Sequence, residues 1–433
     1  MPKFQPLTYL TDDMPGIDGV IRQRREDFFV EEQPLYEPYG EGEHLYLFIE
    51  KCGQTTSDII RRVAKMFGVR RGDVGYAGLK DKHAITRQHL SVYLPDRSND
   101  ERFLSRFEFT PMKLIWSQRH INKLRRGHLR ANRFIINIRD IDPASVVDAK
   151  KILDHLIQTG LPNYVGHQRF GYRGTNHELG RLLLLCRWQE LLDLLLGGPQ
   201  PTDAEATRTG RESYDKGDYS AALEVWPKHL RHDRQALDYL RQGRPPKEAV
   251  MAIDRQQHGF LISALQSEIF NHVLDHRIRA GLFSQLIAGD LGWKHENHSV
   301  FSVDQETAAR DNDTGGRVEN LEVSPSGPMW GAEMLKASGQ VRTWETEAMH
   351  DFEISEQDFN CVGHVDAKGT RRPLRVTVDQ ADISSGADDH GPYVRLAFDL
   401  PRGAFATTLL REIMKNKNID SPASPAANRS KQP

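Results

Sequence analysis

The sequence lacks most of the features that would place it in a specialised class. Its three cysteines, Cys52, Cys186 and Cys361, are odd in number and widely spaced, so neither a disulfide framework nor a zinc knuckle is expected. The longest apolar runs, such as 182–186, are far shorter than the ~20 residues a membrane span needs. The first residues show no basic region followed by an apolar one, which predicts a cytoplasmic protein. There is no G-x-x-x-x-G-K-[ST] loop and no G-x-G-x-x-G turn, so a nucleotide cofactor has no cradle. His295, Glu296 and His298 are near neighbours, but without the H-E-x-x-H spacing that puts two imidazoles on one helical face they read as a solvated loop. "SPSGPMWG" at 324–331 has no nucleophile elbow and reads as a turn with Trp330 packed.

What remains is a globular chain of 433 residues, 38% hydrophobic and 27% charged, long enough for two or three domains. A net charge of −2 argues against a protein that simply coats nucleic acid, but the charge is unevenly spread. Residues 59–72 carry Arg61, Arg62, Lys65, Arg70 and Arg71 with no acid. Residues 117–133 carry Arg119, Lys123, Arg125, Arg126, Arg130 and Arg133, again with none. Either run alone reads as a solvated face; two of them flanking one candidate site point to a polyanionic partner.

The hydrophobic pattern changes twice along the chain. Residues 27–36 and 43–51 alternate as strands, with Leu45, Leu47 and Ile49 on one face. Ile59, Val63, Met66 and Phe67 recur at helical spacing behind an N-cap at Thr56 or Ser57, with Gly68 as the stop. Strand alternation returns at 89–94 and at 133–141, where Phe134, Ile136 and Ile138 share a face. From about residue 144 helical spacing dominates, interrupted by a polar stretch at 199–218 that reads as a surface loop. Alternation reappears at 371–383 and 392–401, then one closing helix and a polar, Pro/Ser-rich tail that reads as disordered. A sheet domain built from both ends of the chain, with a helical domain inserted, explains this order.

Between two of the strand-like runs stands Lys80-Asp81-Lys82. Residues one apart on an extended chain point to opposite faces, so neither lysine need touch the aspartate. A cation close in space would favour the ionised carboxylate and suit it as a nucleophile or base; otherwise this is an ordinary turn aspartate.

Four stretches, "GYAGLKDKHAITRQ" (75–88), "ANRFIINIR" (131–139), "GLPNYVGHQRFG" (160–171) and "DLPRGAFATTLLREI" (399–413), together resemble the TruD family of tRNA pseudouridine synthases in order and spacing. Residues 19–32 and 263–274 add to the likeness, which spans most of residues 1–415. The resemblance implies an α+β fold: a mixed, mainly antiparallel sheet catalytic domain of pseudouridine-synthase type from residues 1–159 and 371–415, with an inserted, mostly helical α/β domain at 160–370. It implies isomerisation of a tRNA uridine, at position 13, with a glutamate tRNA as candidate substrate and no cofactor, metal, membrane or protein partner. Asp81 would be the catalytic carboxylate and Arg22 its cationic partner, where relatives often carry lysine. Phe134 and Asn132 would stack on and hydrogen-bond a flipped base, Phe28 and Phe405 would complete the pocket, and Lys80, Lys82, Arg125, Arg126, Arg130 and Arg169 would face the RNA backbone. Two other readings use the same residues: a non-catalytic RNA-binding or RNA-folding module, for which Asp81 has no special role, and a metal-dependent nuclease, which would need clustered carboxylates that this segment lacks.

Overall fold

A computed structural model describes residues 6–82, 84–360, 365 and 367–416; the polar tail after 416 lies outside the described residues. The chain divides into two compact units, one of residues Thr11–Leu161 with Val376–Asn416, the other of residues 6–10 with Pro162–Arg375.

The first unit is built on an eight-stranded sheet. Its strands are β1 (Phe28–Pro34), β2 (His44–Cys52), β3 (Val74–Tyr76), β4 (Ile85–Tyr93), β5 (Lys113–His120), β6 (Leu129–Arg139), β7 (Asp379–Asp388) and β8 (Gly391–Pro401). The order is β7-β8-β6-β1-β4-β2-β5, with β3 also on β4. A strand from the end of the chain, β8, thus pairs with β6, from its first third, Phe398 opposite Phe134 and Leu400 opposite Asn132. All pairings are antiparallel except β1 with β4, which is short, covering only Phe29–Glu31 against Ile85–Arg87. Beyond it the two strands part: β1 continues along β6, while β3 takes up Leu90–Val92 of β4. The segment joining β3 to β4, which carries Asp81, falls beside this fork.

Local sequence explains the elements around the fork. Helix α1 (Thr56–Phe67) starts one residue earlier than the pattern predicts, because Thr55 is the better cap: its hydroxyl accepts from the Asp58 N–H while the Asp58 carboxylate accepts from the Thr55 N–H, a reciprocal capping box. It ends at Gly68, whose φ of 69° is left-handed. Ile59, Val63 and Phe67 lie against Leu45, Leu47, Ile49, Leu90 and Val92 of the sheet, leaving Arg61, Arg62 and Lys65 outward. In β3, a Cβ on Gly75 would stand 2.3 Å from the Leu124 carbonyl oxygen, so glycine lets the basic 123–126 segment cross there. Helices α2 (Val146–Thr159) and α3 (Ala406–Met414) pack on each other through faces such as Ile152, Leu156, Leu409 and Ile413.

The second unit is mostly helical, with helices from Asn176–Leu184 to the 25-residue Arg255–Arg279 around a core that includes Leu183, Leu191, Trp226, Leu237 and Leu265. It also holds a four-stranded sheet, Thr370–Pro373, Val323–Met329, Leu291–Lys294 and Val300–Ser302 in that order. Two readings are corrected here. The stretch 199–218 is not all loop: Glu205–Asp215 is a helix whose buried face is Thr207, Gly210, Arg211 and Tyr214, correct in spacing but short of apolar residues, with Gly210 leaving room for the Trp226 ring. "SPSGPM" is strand rather than turn, despite two prolines, though Trp330 after it is fully buried as expected.

One buried ion cluster of the sheet unit centres on Arg139, whose guanidinium binds Asp27 and, in bidentate fashion at 2.9 and 2.8 Å, Asp388. Burial would raise the Asp27 pKa, but the contacts from Arg139 and Asn137 override it and hold the carboxyl below its ordinary value. Arg139→Leu leaves Asp27 buried without its cation and should cost about 3–5 kcal/mol, read in urea as a lowered midpoint.

Candidate active site

Asp81 lies on the segment between β3 and β4, in which 78–81 is neither helix nor turn. Its Oδ2 is 3.0 Å from the Arg22 Nη2, each side chain about a quarter exposed. Arg22 holds a φ of 60°, a left-handed conformation that non-glycine residues rarely adopt and that costs about 1–3 kcal/mol. Two contacts accompany that strain: the ion pair with Asp81, and the placement of the guanidinium carbon 4.4 Å above the centre of the Phe28 ring.

Phe28 meets Phe134 edge-to-face at 6.5 Å, and Phe134 in turn stacks on Phe398 at 5.4 Å. An aromatic wall therefore runs from the cation of the pair across β1, β6 and β8. Two residues along β6, Asn132 has a buried Oδ1 without a hydrogen-bond partner among the described residues, as has the Nε of Arg22. Buried polar atoms are rarely left so. Phe405 is half-buried at the N-cap of α3 and makes no ring contact among the described residues. The structure thus brings together Asp81, Arg22, Phe28 and Phe134, and it adds Phe398, which the sequence reading passed over as one more apolar position of a late strand.

The residue before the aspartate overturns an expectation. Lys80 does not face outward toward a backbone phosphate. Its ammonium is 2.6 Å from Glu32 Oε2, with side chains only 5% and 1% exposed. Glu32 also accepts from the His89 backbone N–H at 3.1 Å and lies 3.3 Å from its ring. Burial would raise the Glu32 pKa, yet the His89 and Lys80 contacts more than offset this and hold it below the ordinary carboxylate value. With Lys80 turned inward, its neighbour Leu79 is turned out and is 69% exposed, the reverse of what the two residue types favour alone.

Behind the segment lies a second lysine that sequence reading missed. Lys51, at the end of β2, donates to the backbone oxygens of Gln54 at 2.7 Å and Asp81 at 2.9 Å. The available signal was parity: Lys51 continues the alternate positions Leu45, Leu47 and Ile49, an apolar face on which a lysine is out of place.

The remaining basic residues lie where a polyanion can reach them, with one exception. Lys82, Arg125, Arg126 and Arg130 are exposed. Arg126 is held over the Tyr76 ring, 5.1 Å from its centre, and Arg130 donates to Gln33 at 2.7 Å. An open depression of about 450 Å³ on α1 is lined by Gln54, Asp58, Arg61, Arg62 and Lys65. Arg169, in the other unit, is half-buried over Phe260. Among the described residues no three His, Cys, Asp or Glu side chains gather as a metal site, and no helix is long and apolar enough to cross a membrane.

The inward turn of Lys80 is testable. Lys80→Met should lower stability by about 3 kcal/mol through the stranded Glu32, measured by chemical unfolding without RNA. A lysine serving only a phosphate would leave unfolding unchanged.

Comparison with known proteins extends these local likenesses to the chain as a whole. The family model of tRNA pseudouridine synthase D (TruD) matches residues 6–413. A tRNA pseudouridine synthase D of Geobacter sp. (strain M21) is 38% identical over 410 residues, 94% of this chain and 99% of that protein. One of Thermus thermophilus is 33% identical over 419 residues, covering 96% and 95%. The crystal structure of the putative tRNA pseudouridine synthase D from Methanosarcina mazei matches with a TM-score of 0.77 at 27% identity, over 94% of this chain and 96% of that one. With the aspartate and its arginine set beside a wall of phenylalanines on the sheet, and the likeness running nearly end to end, the chain belongs to the tRNA pseudouridine synthase D (TruD) family.

Proposed function

We propose that this protein isomerises uridine 13 of tRNA, a glutamate tRNA among its substrates, to pseudouridine in the cytoplasm, with Asp81 as the reactive carboxylate. Family membership carries the activity class, a tRNA pseudouridine synthase. The observation that carries the residue assignment is the Arg22–Asp81 pair beside a wall of phenylalanines. The reaction breaks the N1–C1′ bond, rotates the uracil and forms C5–C1′; C5 gives up its proton and N1 takes one, so the product is an isomer of the substrate. It is redox-neutral and adds no atom, so it calls for no cofactor as a reactant. A carboxylate oxygen serves either as the nucleophile that holds the sugar or base between the two bond changes, or as the base that opens an elimination route.

Because a stacked uridine exposes neither C1′ nor C5 to a side chain, the base must leave its stack. Phe134, backed by Phe28 and Phe398, offers the rotating ring an apolar, polarisable face, and the Asn132 Oδ1 can accept from uracil N3–H or a ribose hydroxyl. Arg22 pairs with the carboxylate through its Oδ2. The exposed faces of α1 and of 123–130 would track phosphates around the flipped nucleotide.

Asp81→Asn should cut pseudouridine formation by roughly three orders of magnitude or more while tRNA binding stays within about twofold; a variant making product at the normal rate would show that another group does the chemistry. Changing Arg61, Arg62 and Lys65 together to alanine should weaken tRNA binding and lower the slope of log affinity against log salt by about 2–3. In that variant kcat at saturating tRNA should be unchanged, and an unaltered salt slope would remove α1 from the RNA interface.

A further inference from the structure

Lys51 is 1% exposed, and its ammonium has three protons to place. They are directed at backbone carbonyls alone: Gln54 at 2.7 Å, Asp81 at 2.9 Å and, more distantly, Lys80 at 3.5 Å. None of these acceptors carries a charge, so burial pulls the Lys51 pKa down to about 8 even though the Asp81 carboxylate opposes the shift. A methionine would continue the apolar face of β2 without that penalty. The chain keeps a disfavoured cation here, and what the cation holds is the backbone of the reactive residue.

The other anchors lead to the same place. The Lys80 N–H donates to Thr56 Oγ1 at 2.9 Å, and that hydroxyl donates to Gln88 at 3.1 Å. The Lys80 side chain is locked to Glu32. The backbone of Lys80 and Asp81 is therefore held from β2 and α1, with Thr56 braced on Gln88 of β4, while Arg22 pairs with the carboxylate at the far end of the Asp81 side chain.

We propose that Lys51 is a positioning residue for the isomerisation: by fixing the Asp81 carbonyl it aims the carboxylate, which Arg22 then holds by its oxygen. The proposal rests on Asp81 being the reactive group. Misplacing a reacting atom by about 1 Å can cost about 100-fold in rate, so a clamp on the main chain has a direct kinetic consequence.

Stability and activity should separate. Since the folded-state pKa lies below the ordinary lysine value, protonated Lys51 destabilises the fold below about pH 8, and the penalty fades as pH rises through that value. Over the same range the amine keeps only two N–H donors for three carbonyls and loses its charge, so the clamp weakens. Charged or titratable groups facing Lys51 are Asp81 and Lys80 on the segment, Asp58 on α1 and Cys52 beside it on β2.

The experiment compares wild type, Lys51→Met, Cys52→Ser and Asp81→Asn by steady-state kinetics on tRNA and by thermal melts, from about pH 6 to about pH 9.5. At neutral pH Lys51→Met should lose about 10- to 100-fold in kcat with KM within about twofold and a melting temperature equal to or above wild type. The wild-type kcat should fall above about pH 8, Cys52→Ser should keep that limb, and the low rate of Lys51→Met should be flat. Wild-type kcat in Lys51→Met overturns the proposal, as does a loss accompanied by a matching fall in melting temperature. If Lys51→Met does not fold, a wild-type kcat that stays level through pH 8 overturns it. Activity in Asp81→Asn would instead defeat the assignment of Asp81, whichever way Lys51→Met behaves.

Discussion

The ion pair between Lys80 and Glu32 decides how the active segment is presented. At 2.6 Å and almost wholly buried, it is too costly to open for either residue to act elsewhere. With Lys80 turned inward, Leu79 is exposed and the Asp81 side chain is partly exposed. In the proposed reaction the Asp81 carboxylate must reach substrate while its backbone is held in place. The pair, with Thr56 and Lys51 on the same stretch of main chain, supplies the restraint from beneath.

The sheet makes room for this arrangement through its one parallel pairing. β1 and β4 stay together for three residues and then separate, and Glu32 and His89 lie just past the point of parting. A fully paired antiparallel sheet would leave no such gap for a buried ion pair or for an incoming segment. Residues from distant parts of the chain meet beside it: Arg22 and Phe28 from its start, Phe134 from β6, Phe398 from its end. Closure of the sheet by late strands thus shapes the phenylalanine wall, since Phe398 stacks on Phe134, whose other neighbour is the Phe28 ring under Arg22.

Charge is divided between two roles that a count of lysines and arginines does not distinguish. Arg139, Lys80 and Lys51 are buried and act on the fold, whereas Arg61, Arg62, Lys65, Lys82, Arg125, Arg126 and Arg130 remain on the surface. A chain of net charge −2 can therefore present a basic face to RNA without being basic overall.

The amino-acid sequence alone determined the alternation of β1, β2, β4 and β6, the amphipathic face of α1, the interruption of a strand-rich region by a helical one, and the order of motifs that marks the family. These are legible because each depends on period and spacing within a dozen residues. The helix at Glu205–Asp215 escaped because its buried face uses threonine, glycine and arginine, which carry no hydrophobic signal. The outward or inward sense of Lys80, the left-handed Arg22, and the parts played by Glu32, Lys51 and Phe398 were decided only by tertiary structure. A lysine reads as solvated until a carboxylate 48 positions away offers a better partner than water, and only the folded sheet brings the two within 2.6 Å.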